Sequence, residues 1–299
     1  MLLFDRSFLG LVEKLAPQLP SVEYYVMLAD DARLEPGSIG VQGYEGLLAE
    51  ASPKLDWPVF NENAGAFLCY TSGTTGAPKG VLYSHRSVVL HGMGAGLAGA
   101  LGFSAFDVIM PCQSLYHATA WGLPFTAAIC GCKLVLPCDK FDGKSLDTLI
   151  HAEELTFSGG VPTIWTMYLD YLARTGGDTG TLERLVIGGS AVPRAMAETF
   201  QQRYGVKVRQ LWGMTETSPL GVIATPTPKL AARGDEATDE AIWTRQGRLQ
   251  FGIEMRIVDD SGADLPYDGE AEAWKSGPHV RFRSTNPDAF EQPHPRPLA

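Results

Sequence analysis

A lysine surrounded by glycines and hydroxyl side chains stands at residues 70–81, which read Tyr-Thr-Ser-Gly-Thr-Thr-Gly-Ala-Pro-Lys-Gly-Val. Glycine adopts backbone angles that other residues avoid, so successive N–H groups can point into one concavity. The Ser and Thr hydroxyls add donors, and Lys79 adds a positive charge. This combination, placed between two apolar runs, predicts a cradle for an anionic polyphosphate ligand. The alternative is a flexible polar surface loop.

Pro78, directly before Lys79, argues against one kind of phosphate loop. A Walker A loop ends in Gly-Lys-Ser/Thr and leads into a helix. Pro78 lacks an N–H group and keeps the residue before it extended, and Gly80 follows the lysine. We therefore expect strand, loop and strand in that order, and a P-loop phosphotransferase that moves the γ-phosphate is disfavoured.

Short apolar runs alternate with helical patterns along most of the chain, which predicts an α/β fold with largely parallel sheets. Predicted helices cover residues 8–15, 44–51, 84–90, 118–130, 145–154, 163–173 and 193–204; predicted strands cover 22–28, 64–69, 81–83, 107–111, 133–137, 156–158, 185–187 and 206–212. Near residue 225 the chain becomes polar and rich in turns. We predict an α/β core over 1–224, a small β-rich subdomain over 225–284 with a hairpin turn at Asp260-Ser261-Gly262, and an irregular tail over 285–299.

Four loops follow predicted strands, at the edge of a sheet where α/β proteins bind ligands: residues 71–80, 112–121, 188–193 and 213–218. Glu216 could hold Mg²⁺ together with phosphate oxygens, or it is a solvated turn carboxylate. Trp212 could stack on a base, or it packs in the core. His117 by itself is more often a structural histidine. Ser190 is not a nucleophile elbow, because Val192 stands where Gly-x-Ser-x-Gly needs its last glycine.

Composition limits the function classes. The formal net charge of −10, with no basic cluster, argues against a nucleic-acid partner. Five cysteines without Cys-x-x-Cys spacing predict reduced thiols and a cytoplasmic location. The start of the chain lacks the pattern of a signal peptide, and glycines and prolines interrupt the uncharged stretches 87–106 and 108–132, so no transmembrane segment is expected.

Several stretches together resemble one family. Residues 70–81 resemble, without departure, the phosphate loop of the acyl-adenylate-forming superfamily of AMP-binding enzymes, and residues 84–87 follow as in that family. Residues 116–124 resemble the Phe-His-x-Asn-Ala-Trp-Gly-Leu-Pro stretch of medium- and long-chain fatty-acyl-CoA synthetases. Residues 159–165, 188–193 and 210–217 resemble their acyl-pocket helix start, adenine-side loop and nucleotide motif. The resemblance covers about residues 1–280 and implies most of that family's large α/β domain.

The resemblance implies a reaction and a site. Family members join a carboxylate to ATP, release pyrophosphate and pass the acyl group to the thiol of coenzyme A, so ATP, Mg²⁺, coenzyme A and a medium- or long-chain fatty acid are implied. The implied roles are phosphate binding for Thr71, Ser72, Gly73, Thr74, Thr75, Gly76 and Lys79; adenine binding for Gly188, Gly189, Ser190, Trp212 and Gly213; α-phosphate contact for Thr215; Mg²⁺ for Thr71 and Glu216; the carboxylate for His117; and the acyl chain for Trp121, Gly160, Val161 and Pro162. Among these, Lys79, His117, Thr215 and Glu216 form the implied catalytic set.

Departures from the family pattern matter as well. Thr119 replaces the usual asparagine, and the Tyr-x-Thr-Gly-Asp motif expected after residues 277–280 is absent, as are the hinge and the small C-terminal domain with its catalytic lysine. The tail after residue 281 resembles nothing in the family and is compatible with a shifted reading frame. We therefore expect a synthetase truncated at both ends, with impaired activity and self-association (a homodimer included) through exposed apolar surface. The alternative is a non-catalytic remnant that binds nucleotide or acyl groups.

Overall fold

The computed structural model describes residues 1–29, 34, 39–71, 78–137, 140–259, 261, 263–265 and 279–283. The chain divides into two compact units, residues 1–60 and 61–299. In the first unit, strands β1 (Leu2–Phe4), β2 (Tyr25–Met27) and β3 (Val41–Gly43) form a parallel sheet in that order, with helices α1 (Leu9–Leu15) and α2 (Tyr44–Glu50). Phe4, Val12 and Met27 form its small core.

The second unit begins with an antiparallel strand pair, β4 (Gly65–Thr71) and β5 (Lys79–Ser84), followed by helix α3 (His85–Gly96). The two strands predicted on either side of the phosphate loop are therefore confirmed. The Ser84 hydroxyl accepts a hydrogen bond from the Ser87 N–H and caps α3, as residue type and position predict.

The remaining elements of this unit alternate along the chain. They are β6 (Val108–Cys112), the left-handed turn α4 (Ala118–Trp121), α5 (Leu123–Cys130), β7 (Lys133–Leu134), α6 (Gly143–Ala152), β8 (Phe157–Gly160), α7 (Pro162–Thr175), β9 (Arg184–Ile187), α8 (Arg194–Glu198, continued by π-helical Thr199–Arg203), β10 (Lys207–Gly213), a 3₁₀ turn (Thr215–Thr217), β11 (Leu220–Ile223), α9 (Pro228–Ala231), α10 (Asp235–Thr244), β12 (Arg248–Leu249), β13 (Glu254–Val258) and β14 (His279–Arg283).

Seven of these strands form one sheet in the order β12-β11-β10-β9-β8-β6-β7. The neighbours from β10 to β7 run parallel, whereas β11 and β12 are antiparallel additions. In β9, Leu185 and Ile187 point into one hydrophobic core and Val186 into the other, so both faces of the sheet are covered. The predicted α/β fold with a largely parallel sheet is confirmed, and the carboxyl ends of β10, β9, β8 and β6 lie at one edge.

Three local predictions need correction. The helix predicted over 118–130 is right for Leu123–Cys130 but wrong for Ala118–Trp121, where the backbone is left-handed. The buried strand predicted over 133–137 shrinks to two exposed residues, because β7 is the edge strand of the sheet. Sequence reasoning also missed α9 and α10 within a polar stretch. There the Thr227 hydroxyl caps α9 by accepting from the Leu230 N–H.

The predicted division of the chain near residue 225 falls inside the second unit and stays a prediction. Residues on both sides of the predicted hairpin turn pair antiparallel, with Val258 opposite Asp264. Asp260 and Gly262 themselves, like the tail 285–299, lie outside the described residues.

Candidate active site

The two ends of the predicted phosphate loop face each other across the strand pair. Thr71, the last residue of β4, is the register partner of Lys79, the first residue of β5. Both are partly buried. The loop residues between them that carry predicted roles, Ser72, Gly73, Thr74, Thr75 and Gly76, lie outside the described residues.

The nucleotide motif leaves β10 as a closed loop. The Met214 N–H donates both to the Pro219 carbonyl and to the Thr217 hydroxyl, each at 3.0 Å. The 3₁₀ turn Thr215–Thr217 inside this loop packs against β4, the strand that leads into the phosphate loop. Thr215 is buried, and Glu216 beside it is only partly buried. Two of the predicted phosphate-site segments are thus in contact.

Trp212 and Gly213 end β10 in a tightly packed place. A side-chain carbon at Gly221 on β11 would lie 2.7 Å from Cζ3 of Trp212, so the indole covers the neighbouring strand. A side-chain carbon at Gly213 would collide with the Pro219 carbonyl. Glycine is required at 213 for the loop to close. Trp212 packs on the sheet, and its stacking on a base stays a prediction.

The turn Ala118–Trp121 has left-handed φ angles of 40°, 44°, 52° and 59°, followed by Gly122 at 74°. A left-handed backbone costs an L-residue about 1–2 kcal/mol and persists only where the surroundings hold it. Here the Gln113 amide donates to the Ala120 carbonyl at 2.9 Å, and Ala120 is fully buried. The Thr119 hydroxyl lies 3.6 Å from Cys69 Sγ on β4, which joins this turn to the phosphate-loop strands. His117, just before the turn, is exposed.

Three residues that carry two different predicted roles meet at the sheet edge. A side-chain carbon at Gly189 would lie 3.1 Å from Cγ1 of Val161 and 3.8 Å from Cζ2 of Trp121. Gly189 also has a φ of +78°, which favours glycine. The loop predicted for adenine and the residues predicted for the acyl chain are therefore neighbours, and glycine keeps the space between them open.

The other predicted residues of this edge frame that contact. The Gly188 N–H donates to the Gly160 carbonyl at 3.3 Å, and a side-chain carbon at Gly188 would lie 2.6 Å from the Leu211 carbonyl oxygen. Pro162 is the buried first residue of α7, as its sequence position predicts. Ser190 is exposed beside Gly189.

Sequence reasoning missed two residues beneath the site. Tyr83 on β5 is buried, and its hydroxyl donates to the main-chain carbonyl of Thr215. His91 on α3 is 4% exposed, and its Nε2 accepts from the Leu220 N–H at 3.2 Å. The sequence signal that could have revealed the histidine is its spacing of four residues from Ser87, which places both on one face of α3. The structure shows that this face is buried.

Burial dominates the electrostatics of these two groups. It lowers the pKa of His91 to about 4, because a charged imidazolium would lose its hydration there. It raises the pKa of Tyr83 for the same reason, with smaller contributions from Cys69 and Glu216. Both groups are therefore neutral at pH 7, and His91 accepts through Nε2 while its proton resides on Nδ1.

The described residues hold no group of three His, Cys, Asp or Glu side chains that could bind a metal by themselves. A magnesium ion at this edge fits a different donor set, namely one carboxylate and one hydroxyl completed by phosphate oxygens. In the described part of the chain, no helix combines the length and apolar character needed to cross a membrane.

Known proteins resemble this chain in sequence over most of its length. Residues 12–281 match the family described as AMP-binding enzyme. The 3-methylmercaptopropionyl-CoA ligase of Ruegeria lacuscaerulensis is 43% identical over 272 residues, 90% of this chain and 50% of that protein. The medium-chain-fatty-acid–CoA ligase of Ectopseudomonas oleovorans is 42% identical over 275 residues, 91% of this chain and 50% of that protein.

A solved structure supports the fold. The long-chain-fatty-acid-CoA ligase of Archaeoglobus fulgidus superposes with a TM-score of 0.77 at 21% identity, over 96% of this chain and 53% of that one. The chain spans about half the length of the relatives it matches. Since the family match covers most of the residues and both relatives exceed 40% identity, this chain belongs to the AMP-binding enzyme family.

Proposed function

We propose that this protein activates a carboxylic acid with ATP, forming an acyl-adenylate and then a coenzyme A thioester. The observation that carries the proposal is the contact between the turn Thr215–Thr217 and β4, the strand that ends at Thr71 opposite Lys79. In an AMP-binding enzyme, such a contact places the groups for the α-phosphate beside those for the other phosphates. The names of the relatives, all acid–CoA ligases, support the same reaction.

The chemistry needs alignment and charge neutralisation. A carboxylate oxygen attacks the α-phosphorus, the bond from that phosphorus to the bridging oxygen breaks, and pyrophosphate leaves. The coenzyme A thiolate then attacks the acyl carbon, and AMP leaves. Lys79 and the Thr215 hydroxyl would stabilise the charge on the phosphates, and His117 would face the acid. Bound Mg²⁺, held by Glu216 and Thr71 with phosphate oxygens, would supply further positive charge.

We propose a medium- or long-chain aliphatic acid as the substrate. Trp121 and Val161 present apolar surface beside Gly189. The Gly160 carbonyl accepts from the neighbouring Gly188 N–H, and Pro162 follows Val161 in the chain. One relative is named for a medium-chain fatty acid and the other for 3-methylmercaptopropionate, so the panel must include a short thioether acid. The free thiols Cys69, Cys112, Cys130 and Cys132 support a reducing, cytoplasmic location, which fractionation of the native host tests.

The test is pyrophosphate release by the full chain with ATP, Mg²⁺, coenzyme A and hexanoate, octanoate, palmitate or 3-methylmercaptopropionate. Mass spectrometry identifies the acyl-adenylate and the thioester. Lys79→Ala should lower the rate about 100-fold, as loss of one positioned charge donor does. Lys207→Ala is the matched control, because Lys207 is an exposed lysine at the opposite end of β10 and should keep the rate.

Binding measurements separate the alternatives. Calorimetry that detects ATP binding without pyrophosphate release, in wild type and Lys79→Ala alike, would favour the non-catalytic remnant. Equal rates for Lys79→Ala and wild type would refute the proposed phosphate site. Sedimentation of the chain tests the proposed self-association, and a single monomeric species would contradict it.

A further inference from the structure

Tyr83 connects the strand that leaves the phosphate loop with the nucleotide motif. It lies four residues after Lys79 on β5 and is 2% exposed. Its ring packs on Phe67 of β4 with centroids 4.8 Å apart, and Phe67 stacks on Phe125 of α5 at 5.5 Å. The ring is therefore held on both strands of the pair, and the position of its hydroxyl is determined by packing.

The hydroxyl of Tyr83 donates to the main-chain carbonyl of Thr215. Among the described residues, the other donor to that carbonyl is the Ser218 N–H, at a long 3.4 Å. The loop that contains it is closed on itself by the Met214 and Pro219 main chains, so a restraint at one carbonyl restrains the loop as a whole. The Tyr83 hydroxyl thus binds the main chain of Thr215 and not its side chain.

His91 anchors the other end of the same loop. Its Nε2 accepts from the Leu220 N–H, and its ring packs so closely on Gly122 that a side-chain carbon there would lie 2.7 Å from Nδ1. The loop is thus held at residues 215 and 220 by side chains from β5 and α3. Both elements follow the phosphate loop directly in the chain.

We propose that Tyr83 is a positioning residue, which holds the Thr215 carbonyl and thereby fixes Thr215 and Glu216 relative to Lys79. The inference rests on the proposed function for its catalytic meaning. Its structural content is the restraint of the loop at residues 214–220, which is measurable without turnover. Tyr83 touches neither the acid nor ATP in this assignment; it acts through Thr215.

The test is hydrogen exchange of the full chain, read by mass spectrometry on peptides that cover residues 214–220. Tyr83→Phe keeps the ring and removes the donor, so these amides should exchange about tenfold faster, while peptides of α7 should not change. Tyr168→Phe is the matched control, because Tyr168 is also fully buried but lies on α7 in the other core. Unchanged exchange at 214–220 in Tyr83→Phe overturns the proposal.

A second variant covers the case in which Tyr83→Phe loosens the whole unit. Tyr83→3-fluorotyrosine keeps the ring and makes the hydroxyl a stronger donor, so exchange at 214–220 should slow. Faster or equal exchange in that variant overturns the proposal.

Kinetics separate this inference from the proposed function. Tyr83→Phe should lower kcat for pyrophosphate release about tenfold and leave KM for the acid unchanged, whereas a general packing defect would change both. Faster exchange with an unchanged kcat overturns the positioning role. Absence of release by the wild type overturns the proposed function, and the exchange of residues 214–220 still decides whether Tyr83 holds the loop.

Discussion

The buried imidazole of His91 should make the second unit lose stability as the pH falls from 6.5 towards 4. In the unfolded chain the histidine binds a proton with its ordinary pKa of 6.5, whereas burial lowers the pKa in the folded chain to about 4. Between these values the unfolded state binds more protons than the folded state, so acid favours unfolding. Above pH 6.5 the imidazole is mainly neutral in both the folded and the unfolded chain, so this loss of stability is absent.

The size of the loss follows from the two pKa values. A tenfold difference in proton affinity corresponds to about 1.4 kcal/mol. The contribution of His91 to the free energy of unfolding should therefore fall by about 2 kcal/mol at pH 5 and about 3 kcal/mol at pH 4, relative to pH 7. Asp142 and Asp178 contribute little above about pH 5, because the ordinary pKa of their carboxyls is 3.8 and hydrogen bonds from Ser145 and Gly180 lower it further in the folded chain.

The assay is urea unfolding at several pH values between 4.5 and 7, followed by tryptophan fluorescence. Trp165 is fully buried in the second unit, whereas Trp57 in the first unit is 83% exposed, so the signal reports mainly the second unit. His91→Gln supplies a neutral oxygen that can accept from the Leu220 N–H and should flatten the dependence on pH. If wild type and His91→Gln lose the same stability between pH 7 and pH 5, the reasoning is refuted.

Three further predictions concern other parts of the second unit. Asp107→Ala removes the ion-pair partner of the mostly buried Arg184 and should lower the free energy of unfolding in urea by about 3 kcal/mol. Glu198→Ala breaks the exposed ion pair with Arg194 and should lower it by less than about 1 kcal/mol. Gly188→Ala should lower the free energy of unfolding more than Gly205→Ala. A side-chain carbon at residue 188 would lie 2.6 Å from the Leu211 carbonyl oxygen, whereas at residue 205 it would have no atom within 4 Å and the cost would come only from the left-handed φ of 71°. Equal losses in urea unfolding would contradict this packing. His151→Gln should lower the free energy of unfolding by less than about 1 kcal/mol at pH 6 and leave it unchanged at pH 9. Hydrogen bonds to Asp147 and Asp178, together with the charges of these aspartates, raise the pKa of His151, and the stabilisation by the protonated ring is lost as the pH rises through that value. An effect confined to high pH would contradict this.

Much of the fold was predictable because its determinants are local. Ser84 caps α3 with its own side chain, and Pro162 begins α7 where a missing N–H costs nothing. The alternation of Leu185, Val186 and Ile187 between two cores is a pattern that strand geometry imposes on neighbouring residues. Pro78 excluded a helix directly after the phosphate loop, and β5 follows it.

Part of the candidate site was predictable for a different reason. The loop at residues 71–80 follows β4 of a separate antiparallel pair, so only its packing against the turn Thr215–Thr217 brings it to the site. The loops at residues 112–121, 188–193 and 213–218 follow strands of the parallel sheet, and parallel strands end at one edge of a sheet. That rule brings the loops to the same region, but it does not say which side chains touch. The approach of Trp121 and Val161 to Gly189 joins three separate segments, and no local spacing encodes it.

Sequence alone determined the alternation of strands and helices over most of residues 64–212, the two strands that flank the phosphate loop and the family, since these depend on residue type and on neighbours in the chain. Only the tertiary structure decided the left-handed turn Ala118–Trp121, whose unfavourable backbone is held by contacts from elsewhere. It also decided the anchoring of the nucleotide motif by Tyr83 and His91, whose partners lie 132 and 129 residues away. Propensity and periodicity act over a few residues, whereas these contacts form only when packing brings distant segments together.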